Sequence, residues 1–78
     1  MGKSIFVIGS ITYALKGQKY LNKNGIRAFV ERNSEYKRTK SYGYAIRVDR
    51  SEETIALELL KQVGVHVSQV ISDGGAQN

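Results

Sequence analysis

Apolar residues along the chain alternate between strand-like and helix-like spacing, in the order strand, helix, strand, strand, helix, strand. Residues 4–8 are apolar and rich in β-branched types, which predicts a first strand. Ser10 follows as a suitable helix N-cap. Across 11–24 the apolar residues recur near helical spacing, namely Ile11, Ala14, Leu15 and Leu21. Gly25 after Asn24 predicts that the helix ends in a left-handed cap.

The second half of the chain repeats this order after a basic connection. Residues 26–30 and 42–48 are predicted strands, and 31–41 form a polar loop with Arg32, Lys37, Arg38 and Lys40. Ser51 is the expected cap of a second helix that ends at Gly64. Its expected buried stripe is Ile55, Ala56, Leu59, Leu60 and Val63. Residues 65–71 form the predicted last strand, which completes a single domain over 1–71, and 72–78 form a flexible tail.

This order of elements in so short a chain predicts an α+β, ferredoxin-like β-α-β-β-α-β fold. Its four-stranded antiparallel sheet has the strand order 4-1-3-2, and both helices cover one face. In that topology, the end of the first strand lies at the same end of the sheet as the loop between the second and third strands. The beginning of the first helix is therefore expected beside the basic loop.

Composition narrows the chemistry that the chain supports. The 78 residues include no cysteine and one histidine, which argues against disulfides, thiol chemistry and a dedicated metal site. No nucleophile, base and acid fall into a catalytic pattern, so we expect a protein that is not an enzyme and has no cofactor. The 5–8 apolar run is too short for a signal peptide or a membrane span. We therefore expect a cytoplasmic protein without membrane contact, either a monomer or a homodimer.

The net charge of +5 and the isoelectric point near 9.7 favour anionic partners. Helix amides, hydroxyls and cations are expected to converge at the end of the sheet where the basic loop lies, and such groups bind anions. The candidate residues for an anionic ligand or an acidic protein partner are Gly9, Ser10, Thr12, Arg32, Lys40, Tyr42 and Gly43. Each also has an ordinary structural explanation, in a turn, a cap or a solvated loop.

Two segments resemble the signatures of the RNA recognition motif, which gives nucleic acid as an alternative partner. They are 5–10 (IFVIGS) and 40–45 (KSYGYA). The resemblance implies that Phe6, Tyr42 and Tyr44 stack on single-stranded RNA. Strand alternation favours the opposite register, which buries Tyr44, Ile46 and Val48 and exposes Gly43, Ala45 and Arg47.

A second resemblance runs over most of the chain, from about residue 5 to residue 71. The segments 10–16, 24–28, 41–48, 56–60 and 64–65 resemble a family of small bacterial selenium/sulfur carrier-like domains. The family implies a Cys-Gly pair at the start of the third strand, where this chain has Tyr42 and Gly43. A tyrosine cannot carry a persulfide, so the resemblance implies a retained scaffold without the carrier chemistry. A homodimer that pairs through an open sheet face or an edge strand is a further alternative.

Overall fold

The computed structural model describes residues 2–32 and 43–73, with the backbone alone for Asp73. The strands are β1 (Lys3–Ile8), β2 (Ala28–Arg32), β3 (Tyr44–Asp49) and β4 (Gln69–Asp73), and the helices are α1 (Ile11–Lys23) and α2 (Glu53–Gln62). A short 3₁₀ turn, Arg50–Glu52, precedes α2. All strand pairs are antiparallel, in the order β2-β3-β1-β4. The predicted ferredoxin-like α+β topology is confirmed, since this is the order 4-1-3-2 seen from the other edge.

The strands β2 and β4 begin later than predicted, because the residues before them complete the helix ends. The amide of Ile26 donates to the carbonyl of Leu21 at 2.9 Å, and the amide of Val65 donates to that of Leu60 at 3.0 Å. In both cases the preceding residue is a glycine with positive φ, as expected for a helix that ends in a left-handed turn. At the other end, β4 includes residues 72 and 73, which were predicted to belong to the tail. The remaining predicted tail, 74–78, lies outside the described residues.

The core lies between one face of the sheet and both helices. It contains Phe6, Ile8, Ala28, Ile46 and Val48 from the strands, Ala14 and Leu21 from α1, and Ala56 and Leu60 from α2. Gly17 allows the close approach of α1, since a Cβ there would lie 2.7 Å from Leu60 Cδ2 and 2.9 Å from Ile46 Cδ1. The helix therefore has a glycine where tertiary packing requires one, despite its low helix propensity.

Three apolar residues of the helices face solvent, and one of them, Ile55, was predicted to be buried. Ile11 and Leu15 on α1 are 40% and 52% exposed, and Ile55 on α2 is 55% exposed. The buried side of α1 is set by Ala14, Gly17 and Leu21, and that of α2 by Ala56 and Leu60. At about 100° of rotation per residue, the three exposed residues point well away from those directions.

The second face of the sheet, which the helices do not cover, is closed at its centre. Ile5, Val7 and Ala45 lie on this face and are at most 1% exposed. The predicted exposure of Ala45 is therefore wrong. Its short side chain lies between Val7 and Glu31 on the neighbouring strands, and Glu31 forms an ion pair with Arg47 at 3.1 Å.

The start of α2 also differs from the prediction. Ser51 does not cap α2 but lies within the 3₁₀ turn, where its amide and hydroxyl donate to the Asp49 carboxylate. The first residue of α2, Glu53, accepts hydrogen bonds from the hydroxyls of Ser4 at 2.6 Å and Ser72 at 3.3 Å. Ser4 is fully buried, so this carboxylate connects the helix to the two strands beneath it.

Candidate functional site

The predicted convergence at one end of the sheet is present in the backbone contact between Gly43 and Gly9. Gly43 has φ of +123°, and a Cβ at this position would lie 2.8 Å from the Gly9 carbonyl oxygen and 3.1 Å from that of Ile8. Any larger residue would meet fixed backbone atoms in a conformation that L-residues rarely adopt. The beginning of β3 is therefore held directly against the turn between β1 and α1.

The first turn of α1 begins beside this contact. Ser10 has extended backbone angles, and its hydroxyl accepts a hydrogen bond from the Tyr13 amide at 3.4 Å. This confirms Ser10 as the N-cap. Thr12 is exposed on the same turn. The backbone amides at the start of a helix carry partial positive charge, so this turn favours a neighbouring anion.

Arg32 is the cation that the described residues contribute to this end of the sheet. It is the last residue of β2 rather than part of the loop, and it pairs with Tyr44, which pairs in turn with Ile8. Two strand spacings place its backbone about 10 Å from that of Ile8. We call Gly9, Ser10, Thr12, Arg32 and Gly43 the rim. The other two candidates, Lys40 and Tyr42, lie outside the described residues, within the segment that connects Arg32 to Gly43.

A groove of about 320 Å³ opens beside the rim and includes a residue that the sequence did not suggest. It is lined by Ile8, Gly9, Ser10, Tyr13, Gly64 and His66. His66 is exposed and precedes β4, although it was predicted to lie within the last strand. The segment is fixed at Ser68, whose amide and hydroxyl both donate to the Val7 carbonyl. Nothing in the local sequence around a single histidine indicates this placement, which depends on the sheet order.

Two residues of the RNA alternative, Phe6 and Tyr44, do not lie on an open face, and the third, Tyr42, lies outside the described residues. Phe6 is fully buried in the core, where no base can reach its ring. Tyr44 is half-buried and packs against the same core, while Ile46 and Val48 are buried. The register favoured by strand alternation is thus confirmed for these residues. The exposed aromatic residue on the second face is Phe29 on β2, which is 58% exposed and pairs with Arg47.

Other kinds of site find little support in the described part of the chain. Residues 2–32 and 43–73 contain no group of three His, Cys, Asp or Glu side chains that could hold a metal ion. None of the helices described is long and apolar enough to cross a membrane. The rim offers backbone amides, hydroxyls and a guanidinium, which are groups that can bind an anion.

No protein-family model, curated protein or solved structure matches the chain. The resemblance to the selenium/sulfur carrier-like family therefore rests on the residues that carry it.

Proposed function

We propose that this protein is a non-enzymatic binding domain that takes an anionic ligand, or an acidic group of a partner, at the rim. The contact between Gly43 and Gly9 carries the proposal. It holds Gly43, which follows the basic segment 33–42 in the sequence, against the amino end of α1, while Arg32, which precedes that segment, lies at the same end of the sheet. Segment 33–42 contains three cations and one carboxylate. The described rim residues add one cation and no carboxylate.

The same placement is consistent with a carrier-like scaffold that has lost its carrier residue. In the family that the chain resembles, the reactive cysteine would occupy the position of Tyr42, directly before Gly43. A reactive thiolate at that position would be stabilised by nearby positive charge. The proposed function is therefore anion recognition by the surroundings of a former reactive site.

Amide NMR at low ionic strength, with inorganic phosphate as the probe, tests this proposal. We expect shifts centred on residues 9–12 and on Gly43. Arg32→Gln should weaken phosphate binding about fivefold, equivalent to about 1 kcal/mol. Arg50→Gln is the matched control, because Arg50 is exposed at the opposite end of the sheet and the charge change is identical. Equal weakening by both variants, or shifts spread over all lysines and arginines, would refute a rim site.

Single-stranded RNA binding is a second candidate, on residues other than those of the sequence signature. A groove of about 420 Å³ beside Phe29 is lined by Lys3, Arg27 and Arg47, and also by Asp49 and Glu52. An exposed ring among cations suits a stacked base and its phosphate. Addition of a short mixed-sequence RNA to the same NMR sample distinguishes the candidates. Shifts around Phe29 that Phe29→Ser removes would favour this second function.

A further inference from the structure

The outer side of α1 is a basic surface whose lysines form no ion pair with the part of the chain that the structure describes. The helix contains Lys16, Lys19 and Lys23 but no aspartate or glutamate. All three lysines are exposed, because the opposite side of the helix is buried. No carboxylate of residues 2–32 and 43–72 lies within ion-pair distance of them, and Lys16 instead lies over the ring of Tyr13, 5.9 Å from its centroid. Lysines three and four residues apart repel one another, so this spacing destabilises the isolated domain.

Two exposed aliphatic side chains lie beside these lysines. Ile11 and Leu15 are one helical turn apart, and both are exposed. Leu15 borders a shallow groove of about 570 Å³, whose other lining residues are Thr12, Lys16, Gln18, Lys19 and Asn22. We call Ile11, Leu15, Lys16, Lys19 and Lys23 the outer face of α1.

We propose that the outer face of α1 docks an acidic, amphipathic segment of a protein partner. Carboxylates of that segment would pair with Lys16, Lys19 and Lys23, and its apolar side chains would cover Ile11 and Leu15. The lysines alone would also suit a nucleic-acid backbone, but a phosphate backbone leaves the two aliphatic side chains uncovered. An acidic amphipathic segment complements both features of the surface. This proposal is independent of anion binding at the rim.

Three peptide and nucleic-acid probes of equal charge distinguish the alternatives by fluorescence anisotropy. They are a peptide of glutamates and leucines at helical spacing, a polyglutamate peptide, and oligouridylate; vesicles of phosphatidylserine and phosphatidylcholine form a fourth arm. We expect the amphipathic peptide to bind most tightly, with NMR shifts at residues 11–23. Tighter binding of oligouridylate or of the vesicles at the same residues, or no binding of the amphipathic peptide, would overturn the proposal.

Substitutions on the outer face test the two contributions separately. Lys19→Gln should weaken binding of the amphipathic peptide about threefold to fivefold, while Lys61→Gln on α2 should leave it unchanged. Leu15→Gln should weaken the same peptide about tenfold and leave polyglutamate unaffected. Both α1 substitutions are at exposed positions, and circular dichroism verifies that the variants fold. Equal effects of Lys19→Gln and Lys61→Gln would mean that peptide binding depends only on the net charge of the protein, and would refute docking at α1.

The rim and the outer face are separable in the same samples. Arg32→Gln should leave peptide binding intact, and Lys19→Gln should leave phosphate binding intact. Loss of both activities in either variant would show a single shared surface and would contradict an independent docking face.

Discussion

At position 43, both the backbone conformation and the packing require a glycine. Gly43→Ala should destabilise the fold by about 3 kcal/mol, because a Cβ would meet the Gly9 carbonyl and the backbone would be strained. Gly64 also has positive φ, but a Cβ there meets no atom within 4 Å, so Gly64→Ala should cost only about 1 kcal/mol. Gly9→Ala, with open space and no positive φ, should cost least. Urea unfolding of the three variants measures this order, and equal losses would contradict the close contact.

Asp49 gives the fold a dependence on pH. Hydrogen bonds from the Ser51 hydroxyl and the Ser51 amide hold the pKa of the Asp49 carboxyl below its ordinary value. A lowered folded-state pKa stabilises the protein above the unfolded-state pKa of about 3.9, and this stabilisation is lost as the pH falls through the folded-state pKa. Ser51→Ala should therefore lower the urea midpoint at pH 7 and have a smaller effect at acid pH. Thr54→Ala, an exposed substitution in α2, should show no such trend with pH.

At the level of elements, the carboxylate of Glu53 joins α2 to β1 and β4. Glu53→Ala would leave the buried Ser4 hydroxyl without its acceptor, at a cost of about 1–3 kcal/mol. Ser4→Ala removes the donor and leaves a half-buried carboxylate that water can still hydrate, so it should cost less. The double variant should be more stable than the sum of the two losses predicts, by about 1 kcal/mol. If chemical denaturation shows that the two losses in unfolding free energy simply add, the 2.6 Å hydrogen bond does not couple Ser4 to Glu53.

Whether the predicted burial of a residue was correct depends on which interaction sets the orientation of its helix or strand. Strand alternation correctly placed Ile46 and Val48 in the core, because a shift by one residue would have exposed both. Helical spacing alone did not predict that Ile11 and Leu15 face solvent. The orientation of α1 about its own axis depends on the close approach of Gly17 to Leu60 and Ile46. The spacing of apolar residues in the sequence does not reveal that contact. Exposure of Phe29 was foreseeable, since Ala28 and Val30 alternate with it toward the helices.

For the whole molecule, the order of elements was sufficient to predict the topology and, through it, the close approach of Gly43 to the turn after β1. Gly9, Ser10 and Gly43 meet because β1 ends where β3 begins, and this follows from the strand order. His66 also lies in this region, but no local sequence pattern predicted it. Its position depends on how the segment before β4 crosses the end of β1. Contacts that follow from connectivity were thus predictable, whereas contacts set by side-chain packing were not.

The central position of β1 has a consequence for how the protein folds during its synthesis. One neighbour of β1 is β4, and the hydrogen bond between Ser68 and Val7 spans 61 residues. At roughly 5–20 residues per second, a ribosome needs about 3–12 seconds to make that stretch. Throughout this interval, which is long on the timescale of chain collapse, one edge of a strand with four apolar residues out of six has no partner. The nascent chain is therefore most exposed to aggregation, and most dependent on chaperones, before β4 emerges.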